Sequence, residues 1–279
     1  MKKELLAAVA VVLGAHALAY FLVNVLPDAT LIALGLEGAK QEVLANLQAE
    51  AIRRPYAETL LGLLQFDFGR TLDGVRVSEE IGRALALSAP RIAGAFTLVC
   101  VAVFITAFAR RVPRTLVSFL SFLPPYVPAF FALLALLAVG AASPGDPALV
   151  VLCTLAVALS PAMLVVEQAA GITHRNLSTE FARTLVSIGA GDRFLRMRLL
   201  GNLTAELVPS LEKVFVMIAA GLLFAEPILG LPGIGTTAVR AVRRADPDLL
   251  LGVTLLFSFS VVLARLVAVG IRRQFGLST

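Results

Sequence analysis

Ionisable residues inside or beside long apolar runs are the first candidates for chemistry in this chain. A charge in hydrocarbon is costly and marks a task or a partner. Seven residues qualify: Arg91, Glu167, Glu206, Glu212, Lys213, Glu226 and Arg265. Most stand near the ends of their runs, where a long side chain reaches the interface by snorkelling. Arg265 lies deeper, placed to pair with an acid on another helix. Glu226 directly precedes Pro227 and the stretch Gly230-Leu231-Pro232-Gly233-Ile234-Gly235. A carboxylate there can accept hydrogen bonds from backbone N–H groups freed by a turn, which is a structural role. Contact with a substrate is the other reading.

Other chemistry is excluded by type and spacing. His16 and His174 stand alone, and no H-E-x-x-H or G-x-S-x-G occurs. No G-x-x-x-x-G-K-[ST] loop is present, so ATP binding is not expected of this chain. Gly233-Ile234-Gly235-Thr236-Thr237-Ala238 fits G-x-G-x-x-A, but it follows an apolar run instead of a strand. Cys100 and Cys153 fall within apolar runs and read as buried small hydrophobes, without C-x-x-C or Cys/His metal spacing. No catalytic residue, metal ligand or cofactor is expected, and the chain does not read as an enzyme.

The elements that carry these residues are membrane helices. Of 279 residues, 58% are hydrophobic and 15% charged, against about 25% charged in soluble domains. The apolar residues form blocks long enough to cross a hydrocarbon core of about 30 Å as helices. Six spans are expected: Leu5–Leu26, Ala89–Phe108, Leu116–Val139, Leu149–Val166, Leu207–Leu229 and Leu249–Ile271. The starts of the second and fifth are blurred by Pro90 and Arg91, and by Glu206, Glu212 and Lys213. Lys2 and Lys3 precede the first run, which continues past Ala17-Leu18-Ala19, so it reads as an uncleaved helix and not as a signal peptide.

Lys and Arg set the orientation. Lys2, Lys3, Arg110, Arg111, Arg114, Arg175, Arg183, Arg193, Arg196, Arg198, Arg272 and Arg273 fall on one side, against few in the short loops opposite. Both termini are therefore expected in the cytoplasm. The net charge is +5, but no basic cluster is interleaved with stacking aromatics, so nucleic acid is not an expected partner.

Two segments exceed mere connection. Residues 27–88 form a large external loop, with a surface helix expected in Glu37–Leu64 from Val43, Leu44, Leu47 and Ile52. Residues 171–206 form a cytoplasmic segment mixing apolar and basic residues: Phe181, Leu185, Ile188, Arg193, Phe194, Arg196, Met197 and Arg198. Ser178 or Thr179 caps a short helix there, and Gly189-Ala190-Gly191 ends it. Such a helix–glycine–helix unit is suited to docking. In the third span, Pro124, Pro125 and Pro128 interrupt the helical ladder; they line a translocation path or kink a packing helix.

Three stretches resemble the permeases of binding-protein-dependent ABC importers of the dipeptide/oligopeptide/nickel type. Glu180-Phe181-Ala182-Arg183-Thr184-Leu185-Val186-Ser187-Ile188-Gly189 is similar to the family's cytoplasmic coupling loop. Glu226 and Gly230–Gly235, followed by Arg244-Ala245-Asp246, resemble the external turn between the last two helices. Asp67-Phe68-Gly69-Arg70-Thr71 with Val77 and Ser78 resembles the end of the first external loop. The resemblance covers nearly the whole chain in order.

It implies one transmembrane permease domain over residues 1–279, an all-α integral membrane protein with the type I ABC importer permease fold. It places the chain in the bacterial inner membrane as a multi-pass protein. The implied partners are a second homologous permease, two ABC ATPase subunits, a periplasmic or extracellular substrate-binding protein, and membrane lipid. Glu180, Arg183, Thr184, Gly189 and Arg193 are the implied ATPase-coupling residues. Pro124, Pro125, Pro128, Glu226, Gly230, Pro232, Gly233 and Gly235 are the implied path or gate residues. Di- or oligopeptide is the default substrate, and nickel or another small solute the alternative. An ion-gradient-driven secondary transporter and a membrane enzyme or assembly factor are the competing classes.

Overall fold

The computed structural model describes residues 2–25, 62, 67–109, 147–244 and 246–274, with isolated positions 117, 124, 127, 128, 130, 131, 134 and 135. Among them the long helices are α1 (Lys2–Val25), α2 (Val77–Phe108), α3 (Pro147–Leu177), α4 (Glu180–Ser187), α5 (Asp192–Leu207), α6 (Ser210–Ile228), α7 (Ile234–Arg243) and α8 (Pro247–Gln274). The only extended pairing among the described residues is a single bridge, Arg70 to Arg76. Helices α2, α3 and α8 are long and apolar enough to cross a membrane; α5 and α6 qualify only together, bent by 65° at their break. The chain is thus all-α, with three or four candidate crossings among the described residues.

Several boundaries differ from the sequence reading. Helix α2 begins at Val77, inside the expected 27–88 loop, and runs through Pro90. Glu79 and Glu80 in its first turn suit the positive end of the helix dipole. Buried Ala84, Ser88, Arg91, Ala95 and Val99 recur at helical spacing across the proline, so one packed face carries the helix past it. Helix α3 continues beyond Val166 to Leu177, because its buried face continues through Ala169 and Ile172. The expected fifth span, Leu207–Leu229, falls almost wholly on α6, with the bend from α5 at Val208 and Pro209 at its start. Helix α8 matches the expected sixth span closely. The described apolar part of α1, Val9–Phe21, is shorter than a crossing. Most of the third span and of the expected Glu37–Leu64 helix lies outside the described residues.

By packing, the chain divides into two units, Met1–Leu85 with Thr237–Val262, and Ala86–Thr236 with Leu263–Thr279. In the first unit, a turn over residues 67–76 is fastened to the start of α8. Asp246 caps α8 by accepting from Leu249 N at 3.0 Å, and its other oxygen accepts from Leu72 N at 2.9 Å. Pro247 follows, where its missing N–H is harmless and its fixed φ suits a helix start. Asp248 accepts from Arg70 N at 3.3 Å. Arg240 pairs with Glu80, and Arg244 with Asp73. Leu72 and Asp73, directly after the stretch Asp67–Thr71 singled out in the sequence, therefore meet Asp246 and Arg244.

In the second unit α3 is the central element. It buries Cys153, Val157, Val165 and Ala169, and α6 lies along it with Val214, Ile218, Leu222 and Ala225. Ala95, Val99 and Ala107 of α2 join the same core. Many of these residues are small, which lets membrane helices approach closely. Cys153 is buried as expected, but Cys100 lies on an exposed face of α2.

Candidate functional site: a buried ion pair and an exposed docking segment

Both features lie within the second unit. Glu226 sits in the last turn of α6, where Pro227 follows and Gly230 at φ +65° reverses the chain. Its carboxylate is 0% exposed. One oxygen accepts from Ser88 Oγ and from Arg91 Nη1, each at 2.6 Å. The other accepts from Gly235 N at 2.8 Å. Ser88 Oγ in turn accepts from Ile234 N at 2.9 Å, and Arg91 Nη1 also donates to the Pro232 carbonyl at 2.8 Å. The turn after α6 is thus stitched to one face of α2 through a buried charge pair.

The anticipated acceptor role of Glu226 toward turn N–H groups is present. The sequence did not disclose its charge partner. Arg91 is 5% exposed, so it is a buried partner and not a snorkelling side chain. Ser88 and Arg91, three apart on a helix, present both donors on one face; that spacing was the available signal. The glycines are set by this contact. A Cβ on Gly233 would collide with the Glu226 carboxylate, and one on Gly235 with the Leu222 carbonyl. The G-x-G-x-x-A resemblance therefore has a packing explanation. Every carboxylate oxygen is engaged, so the cluster holds a turn in place and offers no free acid.

Of the expected path prolines, Pro124 and Pro128 are half-buried. Pro124 is outside helical geometry, and its carbonyl accepts from Val127 N at 3.0 Å. Pro125 lies outside the described residues.

The segment Glu180–Arg198 has the capped helix and glycine closure that its sequence suggests. Thr179 is the N-cap of α4, its side chain accepting from Ala182 N at 3.3 Å. Gly189 ends the helix at φ +85°, with Ala190 N bonded to Leu185 O and Gly189 N to Val186 O, each at 3.0 Å. That left-handed closing residue suits glycine because it has no Cβ. Ala182 and Leu185 pack on Leu195 and Leu199 of α5 and on Leu177 at the end of α3. Around that packed core Phe181 (54%), Val186 (57%), Ile188 (74%), Phe194 (60%) and Met197 (57%) are exposed. Glu180, Arg183, Thr184, Gly189 and Arg193 are exposed around them. Large apolar side chains exposed among charged ones have the character of an interaction surface.

Arg196 behaves differently from its basic neighbours. Its Nη1 donates to the carbonyls of Ala107 and Ala109 at 3.1 and 3.2 Å, at the end of α2. Its Nε donates to both oxygens of Asp192, at 3.1 and 3.2 Å. The sequence marked Arg196 only as one of several cytoplasmic cations.

No family model matches the sequence, and no curated protein matches it.

Proposed function

We propose that the chain is a permease subunit of an ATP-driven ABC importer of the dipeptide/oligopeptide/nickel type, in the bacterial inner membrane. The observation that carries this reading is the docking segment Glu180–Arg198. It is a capped helix, a glycine closure and a second helix, all beside the apolar spans, with Phe181, Val186, Ile188, Phe194 and Met197 exposed. Exposed apolar side chains of that kind, among Glu180, Arg183 and Arg193, suit a groove on a cytoplasmic ATPase. Six spans with both termini cytoplasmic complete the type I permease fold in this reading. A second permease forms the path with this one, and a substrate-binding protein delivers solute to the external loops. The stitched turn around Glu226 is the external gate element. Peptide is the substrate, with nickel or another small solute as the alternative.

ATP drives transport by favouring one of two permease states, and substrate-loaded binding protein favours one as well; the docking segment links the two equilibria. The test is co-expression with the two ATPases and the second permease, purification, and uptake into vesicles. The expected result is a stable complex with ATP-dependent uptake. Gly189→Trp leaves membrane insertion intact and abolishes transport-linked ATP hydrolysis; normal stimulation by the binding protein in that variant refutes the coupling role. Ion-gradient-driven uptake by this chain alone overturns the whole reading in favour of a secondary transporter.

A further inference from the structure

We infer that Arg196 is a positioning residue that makes α2 a rigid link between the docking segment and the stitched external turn. This inference rests on the importer reading above.

A helix leaves its last carbonyls without intrahelical donors, and that end carries partial negative charge. In α2 those acceptors include Ala107 and Ala109, and one guanidinium nitrogen of Arg196 serves both. The same guanidinium is oriented by both oxygens of Asp192, one turn earlier on α5. Arg196 is only 11% exposed at its side chain, whereas Arg193 and Arg198 lie open to solvent. The crevice beside it is lined by Leu177, Leu199, Leu200 and Leu203 with Thr173 and Asn176. The guanidinium of this clasp is therefore packed on the α2 side while Asp192 stays half exposed, and the planar fork serves both carbonyls and Asp192 at once.

The other end of the same stretch of α2 is fixed as well. Ser88 and Arg91 hold Glu226 and the backbone of residues 232–234. From Arg91 to Ala107 a helix rises about 24 Å. Between them Ala95 and Val99 are packed in the core. Displacement of α4 and α5 by a docked partner must then carry the cytoplasmic end of α2 with it or break the clasp. A rod tied at both ends passes that displacement to the turn at Pro232–Gly235. A cation that served only membrane topology would need none of these bonds.

The test uses the whole complex with Arg196→Lys, Arg196→Gln and Asp192→Asn. Lysine keeps the charge that topology needs and loses the fork; Asp192→Asn keeps the arginine and loosens its orientation. Cys100, exposed on α2 between the two ties, takes a spin label while Cys153 is buried. In the unsubstituted complex, ATP binding changes the label's spectrum. In all three variants uptake is read per ATP hydrolysed by assembled complex, which corrects for any change in ATPase assembly or basal hydrolysis. Uptake per ATP hydrolysed falls by about tenfold or more in Arg196→Gln, and less in the other two. The nucleotide-dependent spectral change at Cys100 is lost in parallel. If Arg196→Gln fails to assemble, the lysine and Asp192→Asn variants decide. Full uptake with an unchanged spectral response in these variants overturns the inference while leaving the importer reading intact. Failure of the unsubstituted chain to bind any ATPase overturns both.

Discussion

Replacing Glu226 or Arg91 by leucine removes one member of a pair that is almost wholly out of solvent, 0% and 5% exposed. With Glu226→Leu, Arg91 keeps only the Pro232 carbonyl among its recorded acceptors. With Arg91→Leu, the carboxylate keeps Ser88 and Gly235 N but no countercharge. Breaking a buried pair from one side costs about 3–5 kcal/mol, so each single substitution should lower stability by that order. The double substitution removes both charges. What remains are the Gly235 N–H and the Ser88 hydroxyl without their acceptor and the Pro232 carbonyl without its donor, each a loss of about 1–3 kcal/mol. Each of these losses is already present in one of the singles, whereas the unpaired buried charge of each single is absent from the double, so the double should cost clearly less than the sum of the singles. A general gain from placing leucine in a membrane helix enters singles and double alike and cancels in the cycle. The assay is detergent unfolding of the four proteins in a Cys100→Ser background. Unfolding is read by a thiol-reactive dye at Cys153, which is 0% exposed until the core opens. Additivity within about 0.5 kcal/mol would refute the reasoning, since it would mean that the two charges do not depend on each other.

The remaining predictions concern the turn after α6, helix α4 and the tether at Asp246. Gly233→Ala puts a methyl group into the Glu226 carboxylate and should cost about 1–3 kcal/mol in the same unfolding assay. Gly201→Ala, in helix α5 with open space around it, is the control and should be neutral or stabilising by about 0.5–1 kcal/mol. Thr179→Val removes the N-cap of α4 and should cost about 1 kcal/mol locally, seen as faster hydrogen exchange over residues 180–187 with the membrane helices unchanged. Asp246→Ala releases both Leu72 N and Leu249 N, and should speed tryptic cleavage at Arg70 and Arg76; Asp246→Asn should retain most of the protection.

Local patterns were legible along the chain because their causes are local. Apolar block length marked α2, α3 and α8 as crossings, since hydrocarbon thickness sets the number of residues needed. Thr179 and Gly189 marked the ends of α4, because a cap oxygen and a left-handed closing residue act within a few residues. Proximity of Glu226 to a glycine-rich turn announced its bond to Gly235 for the same reason. Helix boundaries were less legible. Pro90 reads as a break in sequence, yet a buried face from Ala84 to Val99 carries α2 past it.

Tertiary structure alone decided which charges meet. Arg91 and Glu226 lie 135 residues apart, and nothing near either one names the other. Arg196 shared its sequence signature with Arg193 and Arg198, but only Arg196 is recorded bonding the last carbonyls of α2. Asp246 and the turn at Leu72 likewise meet across 174 residues. The physical reason is common to the three cases. Hydrophobic periodicity says which face of a helix is buried, whereas a hydrogen bond is directional and short, and requires the register between packed elements that only folding supplies. The chain's order thus determined an α-helical membrane protein with a capped helix closed by glycine at Glu180–Gly189. The packing of α2 against α5, α6 and the 230–235 turn decided that Arg196 and a buried ion pair share one helix.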